Sequence, residues 1–283
     1  MQAASADVHL IANSHGVALL DALTYWRKSG ACGGEQDARY GAAFKGWFDG
    51  SIGGAPFETE IVDHSFRGRS LHAWVLSSGT PIGPLARLRQ EDGQIKLYLA
   101  ERFSQTLQAW DNGRPIVSML AGNEHALTML NNLPEYDFIE PEVPGVQPGA
   151  QIIDDLFIDE RISQWVEPVL SAICGMRRVT RCPVIHVLPP PPREDPMASQ
   201  HLEGIGDFVR QFGLVSDRLR LKWYRRYCRR VTEVLQPLGC EVLPAPAEAC
   251  TADGLLRQEL AEGLTHGNRG YGALVARQLS PLM

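Results

Sequence analysis

Short apolar runs alternate along this chain with stretches that carry apolar residues at helical spacing, and that alternation limits the fold more than any other feature. "VHLIA" at 8–12 reads as a buried strand, and Val17, Leu19, Leu20, Leu23 and Trp26 then recur at helical spacing. "QIKLYLAERFSQTLQAW" at 94–110 reads as one helical stripe, and "GRPIVSML" at 113–120 as a buried strand introduced by a proline. "LFIDERISQWVEPVLSAICGM" reads as a helix with Pro168 near its middle, a place for a kink. "VIHVL" at 184–188 is a strand cut off by four prolines, 216–235 is a long helix capped by Ser216, and "CEVLPAP" is a last short strand before the C-terminal helix "HGNRGYGALVARQL". Strands alternating with helices predict an α/β fold with a mainly parallel sheet. Ligands of such sheets bind at the carboxyl ends of the strands.

Residues 29–93 break the alternation. They are rich in glycine and aromatics, and "TEIVDHSF" and "LHAWVL" are the only strand-like runs among them. The stretch reads as an insertion or small cap subdomain on a single domain spanning 1–283. Its Trp47, Phe48, Phe57, Phe66 and Trp74 either wall a pocket or pack the core of that subdomain. The proline-rich stretch 134–155 reads as loop.

The balance of charge restricts the partners. The 283 residues carry a formal charge of −6, which points away from nucleic acid and anionic membranes. The one basic run, 218–230, interleaves Leu219, Leu221, Trp223, Tyr224 and Tyr227 and reads as the solvated face of an amphipathic helix. The six cysteines form no CxxC pair and no zinc spacing, so no metal site is expected and the thiols read as reduced. No apolar run approaches the roughly 18 residues of a membrane helix, and no basic residue precedes Arg27 as a signal peptide would require. The expectation is a soluble, cytoplasmic protein.

Three polar clusters fall at strand ends. Asn13-Ser14-His15-Gly16 follows the first strand, where Ser14 is either a helix cap or a displayed nucleophile. Gly122-Asn123 follows the strand ending at Leu120, and Asn123 is either a turn residue or an amide donor for an oxyanion. His266 precedes the last helix, as a capping residue or as a general base. His125 and His186 read as local or core histidines, and His9, His64, His72 and His201 have no supporting context.

Together, "ANSHG", "GNE" and "THGN", in this order and at successive strand ends, resemble the SGNH/GDSL hydrolases, bacterial members in particular. The resemblance covers most of the chain in motif order and little of 29–93. It implies a three-layer α/β/α sandwich of the flavodoxin-like SGNH type. It implies a serine esterase acting on a short acyl, for example acetyl, ester, with a small molecule or carbohydrate as the natural substrate and no cofactor. Ser14 would be the nucleophile and give one oxyanion donor through its backbone N–H. Asn123, beside Gly122, would give another, and His266 would be the base. The family's aspartate three residues before the histidine is Gly263 in this chain, leaving Glu262, Asp253 or a Ser-His dyad for the acid role. The family's oxyanion glycine follows the second core strand, with Gly53, Gly54, Gly68 and Gly79 as candidates. Acyl transfer through the same residues, and an inactive binding protein on the same fold, are the alternatives. Oligomeric state is not readable.

Overall fold

The computed structural model describes residues 7–29, 57–63, 69–76, 85–121, 135–195, 211, 214–263 and 265–282. In chain order these form β1 (Val8–Ala12), α1 (Val17–Ser29), β2 (Phe57–Asp63), β3 (Arg69–Val75), β4 (Ala86–Glu91), β5 (Gln94–Leu99), α2 (Glu101–Ala109) and β6 (Ile116–Met119). There follow β7 (Tyr136–Asp137), β8 (Gln151–Ile152), α3 (Asp155–Val179), β9 (Val184–Val187), α4 (Asp217–Leu235), β10 (Glu241–Leu243), β11 (Ala261–Glu262), β12 (His266–Gly267) and α5 (Arg269–Leu279).

The main sheet runs β10-β9-β6-β1-β3-β2, with β2 alone antiparallel, paired to β3 at the edge. Counting only the parallel strands along the chain, the order from β3 is 2-1-3-4-5, the flavodoxin-like arrangement. Winding reverses between β1 and β6, so the crevice for a ligand opens beyond the carboxyl ends of those two strands. Buried parallel strands have apolar residues facing both ways. Ile11, Ile116, Leu120, Val184 and Leu188 pack under α2, α3 and α4. Leu10, Ala12, Val117, Met119, Ile185 and Val187 pack under α1 and α5. The result is a three-layer α/β/α sandwich.

Three readings change. The stripe at 94–110 is not one helix: Gln94–Leu99 is a strand paired with Ala86–Glu91, and the helix begins at Glu101. The cause is Asp92-Gly93, whose positive φ values of 53° and 74° make the tight two-residue turn that matches strand twist. The stretch 29–93 also contributes to the core, because β3 pairs with β1 inside the sheet and β2 forms its edge. The rest of that stretch that could form a cap, with Trp47 and Phe48, falls outside the described residues.

The four prolines behave as a rigid strand exit. Residues 188–193 are buried, Pro189 O accepts from Tyr224 Oη at 2.9 Å, and Pro192 O accepts from Leu256 N at 2.8 Å. The basic run forms α4, but its charges are not simply solvated. Lys222 is fully buried and spends its three N–H donors on Asp137 Oδ1, Phe138 O and Gly145 O, each at 2.7 Å. Arg226 pairs with Asp155 and Asp159, and Arg229 with Glu140. These contacts lash the proline-rich 134–155 segment and α3 to α4. The five described cysteines are free thiols.

Candidate functional site

The carboxyl end of β1 turns directly into a short 3-10 segment, Ser14–Gly16, and then into α1. Asn13 shapes that turn from both ends of its amide. Its Oδ1 accepts from His15 N at 3.3 Å, and its Nδ2 donates to Ala121 O at 2.5 Å. Ala121 lies just past β6, so Asn13 bridges the two strand ends where the winding reverses. The backbone of Ser14 therefore sits at the crevice that the topology predicts. Gly122 and Asn123, the next residues after Ala121, lie outside the described residues, as does His125.

His266 reaches the same place from the far end of the sequence. β11 and β12 form a small antiparallel hairpin in which Glu262 stands opposite His266. Gly263 makes its turn at φ +56°, in the left-handed region that favours glycine. Arg193, at the exit of β9, donates from Nη1 to Gly263 O at 2.6 Å and from Nε to Gln258 Oε1 at 3.0 Å. Asn268 then caps α5, its Oδ1 accepting from Gly270 N at 2.8 Å and Tyr271 N at 3.3 Å. The cap fixes where α5 starts, and α5 crosses α1 so closely that a Cβ at Gly272 would lie 1.9 Å from Ala18 O. This crossing brings the starts of the two helices together. The rings of His15 and His266 stack with centroids 4.8 Å apart and planes 29° apart.

The two ring nitrogens of His266 stand in different surroundings. Nδ1 lies 3.0 Å from Thr265 Oγ1, whereas Nε2 is shielded from water and has no hydrogen-bond partner among the described residues. Burial alone lowers its pKa from 6.5 to about 4, because nothing nearby compensates the loss of water around the charged ring. The imidazole is therefore neutral at ordinary pH.

Among the described residues no carboxylate pairs with His266. Glu262 is exposed across the ladder from it; burial lowers the pKa of Arg193, and the charges of Asp195 and then Glu262 oppose that shift. Asp253 is exposed in the turn that Gly254 N closes on Thr251 O at 3.0 Å. The adjacent Leu255 packs with Leu221 and Tyr224 of α4. His186, in β9, is a core residue whose Nδ1 lies 3.3 Å from Ser118 Oγ.

Nothing in the sequence alone points to a role for His15, Thr265 or Arg193. His15 and Thr265 were legible as neighbours of Ser14 and His266. Arg193 was not, since its link to Gly263 spans 70 residues.

No protein-family model and no curated protein sequence matches the chain. Among solved structures, the chain is similar to a lipopolysaccharide acetyltransferase periplasmic domain from Salmonella ser. Paratyphi A, at 10% identity and a TM-score of 0.44, covering 99% of this chain and 85% of that one. It is also similar to a carbohydrate acetylesterase from Sinorhizobium meliloti, at 13% identity and a TM-score of 0.35, covering 98% and 99% of the two chains. The cytoplasmic placement expected from the sequence is corrected here, because the Salmonella chain is a periplasmic domain and points away from that compartment. Among the described residues no helix is long and apolar enough to cross a membrane.

Proposed function

We propose that this chain is an SGNH-type serine enzyme acting on short acyl esters, with Ser14 as nucleophile and His266 as base. The observation that supports it is the stacking of His15 on His266 at 4.8 Å, which joins the turn after β1 to the hairpin before α5 at the sheet's switch point. Ser14 Oγ attacks the ester carbonyl carbon as His266 Nε2 takes its proton. The oxyanion is held by the Ser14 backbone N–H and by Asn123, which follows β6 beside Gly122. Collapse breaks the bond to the alcohol oxygen, which leaves with the proton from His266. Water, deprotonated by the same nitrogen, then cleaves the acyl-Ser14 ester and releases the acid. Of the four candidate oxyanion glycines, Gly79 is the one that follows the second parallel strand, β3, in sequence.

A series from p-nitrophenyl acetate to p-nitrophenyl octanoate tests the reading and measures the acyl pocket. Ser14→Ala abolishes turnover above background. His266→Ala lowers kcat about 10²–10⁴-fold, and Asn123→Ala lowers it on the order of 10²–10³-fold. Acetylated carbohydrates are the natural substrates to try next, and free acid against acylated sugar as product separates hydrolysis from transfer.

One observation favours a second reading, a binding protein that keeps the fold without catalysis: no carboxylate pairs with His266 among the described residues. A fluorophosphonate probe decides between the two. Labelling of Ser14 that drops in His266→Ala supports the enzyme. No labelling, or labelling indifferent to His266, supports the binding protein.

A further inference from the structure

A histidine base needs its second nitrogen fixed as a donor, so that the lone pair faces the nucleophile. A carboxylate is the usual means, yet the backbone at 263 is a left-handed turn whose carbonyl is engaged by Arg193, and the hairpin offers His266 Nδ1 a hydroxyl instead. We propose that Thr265 is the positioning residue of this base: its Oγ1, 3.0 Å away, accepts the Nδ1–H of His266 and leaves Nε2 as the basic nitrogen. The role in catalysis rests on the esterase reading above, whereas the proton placement does not.

The direction of that bond follows from the other nitrogen. Nε2 is shielded and unpartnered among the described residues. A buried N–H without an acceptor is the rarer and costlier state, and an underused lone pair is better tolerated. The proton therefore belongs on Nδ1, where Thr265 Oγ1 meets it. Among the described residues, the surrounding charged and titratable groups do not supply an alternative acceptor. His15 lies face-to-face with the ring, Glu262 stands across the ladder and is exposed, Arg193 is committed to Gly263 O and Gln258, and Arg269 is committed to Asp21. A hydroxyl acceptor orients the ring without adding negative charge, so this site differs from a Ser-His-carboxylate triad in how its imidazolium is stabilised.

The test has a spectroscopic arm and a kinetic arm. In ¹⁵N-labelled protein, long-range ¹H–¹⁵N correlations of the imidazoles, with His266 assigned by its loss in His266→Gln, report which ring nitrogen is protonated. The expected result is a protonated Nδ1 and a bare Nε2 at pH 7, and loss of that preference in Thr265→Val. On p-nitrophenyl acetate, Thr265→Val lowers kcat by about tenfold or more with KM changed less than about twofold, and Thr265→Ser returns kcat to within about threefold of the parent. A protonated Nε2 in the parent protein overturns the proposal, and this measurement needs no variant at residue 265 to fold. A Thr265→Val enzyme with unchanged kcat overturns it too. If the parent hydrolyses no ester and ignores the fluorophosphonate while Nδ1 stays protonated, the esterase reading fails and the proton placement stands.

Discussion

Substituting Gly272 by alanine sets two opposite effects against each other. Alanine is the better helix former by about 1 kcal/mol, so α5 taken alone gains from the change. The new methyl, however, would sit 1.9 Å from Ala18 O and 2.7 Å from Leu19 N. Both are main-chain atoms of α1, so no side-chain rotamer relieves the contact and the helices must part by more than an ångström. Leu19, Leu20 and Leu23 of α1 share one core cluster with Tyr271, Val275 and Leu279 of α5, and separation loosens all of them. Overpacking of this kind costs about 1–3 kcal/mol even where neighbours can give, and rigid backbone takes it to the top of that range or beyond. The expected net loss is about 2 kcal/mol or more, a Tm lowered by roughly 4–8 °C for a chain of this size. Guanidinium titration should show a lower midpoint with the slope unchanged. Gly175→Ala in α3 is the control, since its methyl would meet only the end of the Leu99 side chain, at 2.4 Å, which can swing aside. That variant stays within about 1 kcal/mol of the parent. A Gly272→Ala protein as stable as the parent refutes the close crossing, and with it the account of how His266 is delivered to Ser14.

Lys222→Met leaves Asp137 buried without its cation and should cost about 3–5 kcal/mol, read by chemical denaturation, whereas a loss under 1 kcal/mol would mean that the 134–155 segment is not held by this ion pair. His186 is fully buried, with its pKa lowered by burial from 6.5 to about 4, so the unfolded chain takes up the proton first as pH falls. Stability is therefore full above about pH 6.5 and declines towards pH 4, by about 3 kcal/mol for this residue at about 1.4 kcal/mol per pH unit. His186→Gln should flatten that decline in titrations at pH 7 and 4.5, and an unchanged decline rules the residue out as its source. His266 follows the same sign for activity: only the neutral ring accepts a proton, and its pKa is lowered to about 4. Ester hydrolysis should persist as pH falls through 6.5 and fail only on approach to 4, with the fold checked by circular dichroism at each pH. An acid limb at or above 6.5 would require a carboxylate close to the ring.

The parts of this fold that were legible in the sequence are those set by local pattern. β1, β6 and β9 are buried on both faces, so they read as short apolar runs, each broken by one buried polar residue (His9, Ser118 and His186), and Ser216 caps α4 as its position suggested, with Leu219 N donating to its Oγ at 3.3 Å. The strand at Gln94–Leu99 is hidden in the sequence because Ile95, Leu97 and Leu99 alternate over a stretch too short to outweigh the helical stripe that follows, and the Asp92-Gly93 turn is its one local signal. The place of β3 beside β1 was illegible for another reason: strand order depends on contacts between distant residues, and nothing local in "LHAWVL" says which strand it adjoins.

At the site the same distinction applies. Turn chemistry made the neighbourhoods of Ser14 and His266 readable, since both sit where a strand or hairpin gives way to a helix. The acid was not readable, because residue 263 is a glycine in the turn of the hairpin. Its φ of +56° closes a two-strand hairpin, and its carbonyl is the acceptor that lets Arg193 tie that hairpin to the exit of β9. A hairpin held this way keeps His266 in place through main-chain and arginine contacts, so the demand left for the Nδ1 partner is orientation, which a neighbouring hydroxyl meets. The glycine at 263 and the hydroxyl at 265 then belong to one local turn.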